Sequence, residues 1–187
     1  MEQLIIAFST VGLAEMGDRT QLLTLILVAR FKRPLTLIFA IFCASIVNFG
    51  VAGIVGSHIA EFLTPRRLQM IVGVSMVAMA IWELIPDKLS KEQKTIHKGV
   101  SAFLSMFIAY LIAEIGDKTQ LATLALAAAY QSTVLVVAGA TLGMLAANAP
   151  VAYLGHAFAH RLPISAIRMV TAVLFVAVGV FFIYRAW

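Results

Sequence analysis

The sequence predicts an all-α integral membrane protein whose six transmembrane helices form two inverted three-helix repeats. Three observations lead there: too little polar surface for water, six apolar stretches of spanning length, and one charged segment written twice. Of the 187 residues, 61% are apolar and only 12% are charged, and the mean hydropathy is +0.97. A soluble domain carries about 25% charged and about 45–50% apolar residues. Six spans of ~20 residues use about 120 residues, which leaves short connections and no room for an extramembrane catalytic or nucleic-acid-binding domain. The formal net charge of +5 is therefore read as a device for orientation in the bilayer rather than as the mark of an acidic partner. The single cysteine, Cys43, lies in an apolar run and is expected to pack as a small core residue. The N-terminus lacks a basic n-region and runs into Glu15 and Asp18, so the first segment is expected to be retained rather than cleaved.

The apolar stretches fall at about 3–30, 35–62, 68–86, 100–129, 133–160 and 165–186. The first ends at Arg30-Phe31-Lys32-Arg33-Pro34, and Thr64-Pro65-Arg66-Arg67 separates the second from the third. A polar link opens at Pro86-Asp87-Lys88 and runs to Lys98. Tyr130-Gln131-Ser132 divides the fourth from the fifth, and Leu162-Pro163 the fifth from the sixth. Trp82, Tyr184 and Trp187 stand near span ends, where amphipathic rings favour the interface. With six spans, one side of the membrane receives Arg30, Lys32, Arg33, Lys88, Lys91, Lys94, Lys98, Arg161 and Arg168, and the other only Arg66, Arg67 and Arg185. That asymmetry puts the first side in the cytoplasm and both termini outside; for a bacterial chain the membrane is the inner (plasma) membrane.

Glu15-Met16-Gly17-Asp18-Arg19-Thr20-Gln21 and the eight residues after it align with the segment beginning Glu114-Ile115-Gly116-Asp117-Lys118-Thr119-Gln120, with ten identities in fifteen at an offset of 99. Asn48 and Asn148 match at an offset of 100. Each copy carries three spans, and an odd number inverts the second copy relative to the first, as in many secondary transporters. The expected organisation is a first repeat over 1–87, a charged cytoplasmic link over 88–99 and a second repeat over 100–187.

Six ionisable groups, Glu15, Asp18, Arg19, Glu114, Asp117 and Lys118, fall deep in the first and fourth spans. At about 2.5–3.5 kcal/mol each, exposing all six to lipid would cost on the order of 15–20 kcal/mol, so they must face protein, water or an ion. Glu15, Asp18 and Gln21 recur every third residue and share a helix face, as do Glu114, Asp117 and Gln120. Gly17 and Gly116 are hinge positions where the helix can unwind. With Asn48 and Asn148 at similar depth, these groups make an oxygen-rich site that suits Ca2+, Mn2+ or Mg2+ better than Zn2+ or Cu+. Four carboxylates against the charge-balancing Arg19 and Lys118 leave two negative charges, which one divalent ion or two protons neutralise. Arg19 and Lys118 either relieve repulsion within a repeat or pair with the other repeat's acids, and the sequence does not choose.

Both copies resemble the E-x-G-D-[KR]-[TS] signature of the Ca2+:H+ antiporter-2 family, the GDT-type transporters, and the likeness runs through nearly the whole chain. It implies export of Mn2+, or next Ca2+, from the cytoplasm in exchange for protons, with Glu15, Asp18, Glu114 and Asp117 as metal ligands. No enzymatic activity, tightly bound cofactor or nucleic acid is implied. The partners expected are the lipid bilayer and the transported cation, and a homo-oligomer is left open.

Blander roles compete at several positions. Gln21, Gln120, Asn48 and Asn148 also suit interhelical hydrogen bonding. Thr20 and Thr119 suit bonds to their own helix carbonyls, and Met16 suits core packing. His58 and His156 are expected at the interface rather than in a proton relay, and Glu61 and Glu83 near span ends in reach of water. Two other functions are weighed: an intramembrane aspartyl protease using Asp18 and Asp117, whose near-identical contexts argue against it, and a passive cation channel.

Overall fold

The computed structural model describes residues 1–85, 101–155 and 164–187. The charged link over 88–99 and His156 lie outside them. The described residues form eight helices and no strand: α1 Glu2–Glu15, α2 Arg19–Phe31, α3 Pro34–Glu61, α4 Pro65–Glu83, α5 Ala102–Glu114, α6 Lys118–Tyr130, α7 Thr133–Leu154 and α8 Ile164–Arg185.

Local chemistry sets these limits. Pro34 and Pro65 open α3 and α4, where the missing N–H costs nothing and the fixed φ suits the first turn. The Ser101 side chain caps α5 by accepting from the Leu104 N–H at 3.3 Å. Lys32 and Gln131, at matching places after α2 and α6, take left-handed φ values of 52° and 48° and turn the chain into the next helix.

The first and fourth apolar stretches are not continuous helices. Each is two half-length helices, α1 with α2 and α5 with α6, and a 14-residue helix covers only about 21 Å of a ~30 Å hydrocarbon core. Three helices, α3, α7 and α8, are long and apolar enough to cross a membrane. Their exposed faces carry Phe39, Phe42, Ile46 and Val51 on α3 and Val173, Val176 and Val180 on α8, an apolar surface that lipid rather than water covers. The fourth helix, α4, begins with Pro65-Arg66-Arg67 and ends on Glu83.

The extensive contacts run between the two halves of the chain. α1 packs on α7, α3 on α5, α6 and α7, and α4 on α6 and α8. Small residues let these backbones meet: a methyl group on Gly143 would stand 2.6 Å from the Phe8 carbonyl oxygen, and one on Gly73 would stand 2.7 Å from that of Gly179. The two unwound segments are thereby brought together inside the bundle. Cys43 is half-buried on α3.

Candidate metal site

Both breaks have one backbone form. Met16 and Ile115 are extended, Gly17 and Gly116 take φ of 82° and 72°, and Asp18 and Asp117 are extended again as the N-caps of α2 and α6. An L-residue at the glycine would pay roughly 1–2 kcal/mol. The glutamine three residues after each N-cap closes the turn in the manner of a capping box: Gly17 N–H donates to Gln21 Oε1 at 2.9 Å, and Gly116 N–H to Gln120 Oε1 at 2.7 Å. Each amide also reaches the other half, from Gln21 Nε2 to the Ala147 carbonyl at 2.9 Å and from Gln120 Nε2 to the Asn48 carbonyl at 3.4 Å.

Breaking a helix at this motif puts four of its six charges at an awkward end, Asp18 and Asp117 being well placed as N-caps. Glu15 and Glu114 terminate α1 and α5, at the negative end of the helix dipole, while Arg19 and Lys118 begin α2 and α6, at the positive end. Each basic residue is answered from the opposite repeat. Arg19 Nη2 lies 2.6 Å from Asp117 Oδ1 and donates to the Ala113 carbonyl at 3.2 Å. Lys118 Nζ lies 2.8 Å from Asp18 Oδ1 and 3.1 Å from Glu83 Oε2. The exchange is not symmetric in depth, since the Arg19 side chain is 25% exposed and that of Lys118 only 2%.

Glu15, Glu114 and Asp117 are buried and each brings a carboxylate oxygen within 4.8 Å of the other two. Oxygens about 2.4 Å from one shared cation can stand at most about 4.8 Å apart, so this spacing fits a single hard divalent ion. Glu15 Oε2 accepts from Thr20 Oγ1 at 2.5 Å, and Thr119 Oγ1 donates to Asp117 Oδ2 at 3.2 Å and Glu114 Oε2 at 3.4 Å. The remaining oxygens, Oε1 of Glu15 and Oε1 of Glu114, are buried with no hydrogen-bond partner among the described residues. A buried acceptor left so costs about 1–3 kcal/mol, more when charged, and a cation between the two removes that cost.

Of the expected ligands, the structure gathers these three and places Asp18 on Lys118. Asn48 Nδ2 donates to the Leu111 carbonyl at 3.2 Å, beside the second break. Asn148 accepts from Thr24 Oγ1 at 2.8 Å and from the Tyr110 hydroxyl at 3.3 Å, and its amide donates to the Met144 carbonyl at 3.2 Å. Both asparagines thus join helices. Thr20 and Thr119 bond the carboxylates rather than helix carbonyls, the latter bonds being made by Thr24 and Thr123 at 3.0 and 2.8 Å. Glu83 is buried against Lys118, out of reach of water, because the last residue of α4 meets the first residue of α6. Met16 is half-buried and lines a cleft of about 300 Å³ between α1 and α7 instead of filling the core. His58 and Glu61 are exposed.

Two further buried groups join the helices around the site, one of them without forewarning in the repeat. Tyr110 hydrogen-bonds Thr24 and donates to the Thr20 carbonyl at 3.1 Å, yet the repeat offset pairs it with Val11. Thr24 was visible as one of the repeat identities with Thr123.

The chain matches the family described as divalent cation/proton antiporter GDT1 over residues 3–91 and 102–187. It belongs to that family. A relative from Vibrio cholerae serotype O1, named "Putative manganese exporter", is 46% identical over 176 residues, covering 94% of this chain and 87% of its own. No solved structure matches the chain. Family and relative place the chain among membrane transporters of divalent cations rather than among enzymes.

Proposed function

We propose that the protein exports a divalent cation, Mn2+ first and Ca2+ next, from the cytoplasm in exchange for protons, by alternating access at the two breaks. The observation that carries this reading is the convergence of Glu15, Glu114 and Asp117, two of which keep a buried oxygen with no hydrogen-bond partner among the described residues. An all-oxygen site of this charge suits hard cations, and the relative's name adds manganese. Protons and the cation compete for the same carboxylates, which couples their movement without a second pathway. The matching order and matching breaks of α1–α4 and α5–α8 support a six-span inverted repeat in which each pair of half-helices makes one span. The excess of basic residues on one set of loops supports both termini outside.

The protease reading loses ground, since Asp18 and Asp117 each face a cation of the other repeat rather than one another. Purified protein in vesicles is expected to take up Mn2+ when the lumen is made acid, and the lumen is expected to alkalinise as Mn2+ enters. Glu114→Gln and Asp117→Asn should each reduce uptake at least about tenfold. Conductance without proton exchange would mean a channel, and undiminished transport by both variants would overturn the site.

A further inference from the structure

Glu83 lies outside both motif copies, and α8, which holds α4's place in the second half, contains no acidic residue. This extra acid sits where the two basic residues differ most. Arg19 is partly exposed, so water can take over part of its solvation when Asp117 turns toward a cation. Lys118 is sealed between Asp18 and Glu83 and has no such recourse. A hard divalent cation takes six or more oxygens, more than Glu15, Glu114 and Asp117 supply at one each, and Asp18 caps α2 three residues after Glu15. One oxygen of Asp18 is on Lys118, and drawing that carboxylate toward a cation weakens its hold on a buried ammonium, which is strongly disfavoured unless another acid stays in place.

We propose that Glu83 is a positioning residue of the transport cycle, the counter-ion that holds Lys118 while Asp18 moves between Lys118 and the transported cation. The inference rests on the functional reading above and adds to it a residue that does not touch the metal. It explains why the deeper of the two cross-repeat pairs has a second acid: the charge that Asp18 withdraws must be supplied from somewhere other than solvent.

The test is a double-mutant cycle read by Mn2+ binding to the full-length purified chain, using the paramagnetic resonance signal of free Mn2+. Glu83→Gln should weaken binding about tenfold or more when Lys118 is present, and less than about threefold in a Lys118→Gln background, where no ammonium needs holding. A packing role unconnected with Lys118 predicts the same loss in both backgrounds, and that result, a loss below about threefold with Lys118 present, or a loss of affinity matched by an equal loss of melting temperature without Mn2+, would overturn the proposal. If Glu83→Gln does not yield a monodisperse protein, Glu83→Asp, whose shorter arm draws the carboxylate back from Lys118, should show a smaller loss that Lys118→Gln again removes. A wild-type chain that binds no Mn2+ overturns the functional reading and this inference together. Wild-type binding with a flat cycle overturns this inference alone.

Discussion

Glu15 ends its helix facing a field that repels it, and a 2.5 Å hydrogen bond from Thr20 holds one oxygen of the carboxylate that it shares with the group of Glu114 and Asp117. Thr20→Val keeps the shape and removes the donor. Its expected effect is a loss of about 10–100-fold in Mn2+ affinity, the usual range for a group that orients a metal ligand, while Thr20→Ser should stay near wild type. Equal affinities for the two variants in a binding titration would show that the hydroxyl has no orienting role. At this scale the sequence was partly legible. Glu15, Glu114 and Asp117 stood out because buried charge is expensive and theirs is repeated. The partners of Arg19 and Lys118 did not, because which acid meets which base depends on how the two breaks cross in space. Glu83 was misplaced near water for a similar reason: its distance along the chain from the end of an apolar stretch says nothing about α6 lying beside it.

The half-helices owe their ends to two glycines. Gly116 is exposed and a methyl group there would meet nothing within 4 Å, so Gly116→Ala isolates the cost of φ at +72°. About 1–2 kcal/mol is expected, or a melting temperature lower by roughly 2–8 °C for a chain of this length. Gly116→Asn should recover part of it, since asparagine tolerates this region. A different mechanism governs Gly143, where α1 and α7 touch through their backbones. Gly143→Val would push the helices apart and is expected to abolish the monodisperse protein rather than shift its melting point, as size-exclusion chromatography in detergent would show. The breaks could be read from Gly-Asp after an apolar run. The tight crossings could not, because glycine in a membrane helix is common and only its neighbour in space makes it necessary.

For the whole molecule, a site with unmet carboxylate oxygens makes the folded state hungry for cations. Any ion that binds the folded chain alone stabilises it by about 2.7 kcal/mol at a hundred times its dissociation constant, which predicts a rise of roughly 5–10 °C in melting temperature with Mn2+. Glu114→Gln should lose most of that rise, and a rise of equal size in the variant would place the bound ion elsewhere. The two-copy plan of the molecule was legible because ten identities at one offset have no other cause. What the copies do to each other was not: they read along the chain as separate units and fold as interlocked ones.

That interlocking bears on how the protein is made. The ribosome delivers α1 to α4 first, so Glu15, Asp18, Arg19 and Glu83 enter the membrane before Asp117, Lys118 and the helices that cover them exist. The nascent first half must wait, with its charges sheltered by water, headgroups or the insertion machinery, until the second arrives to complete each ion pair. Two fragments cut within the link and expressed together should therefore rescue one another, whereas either alone should be degraded.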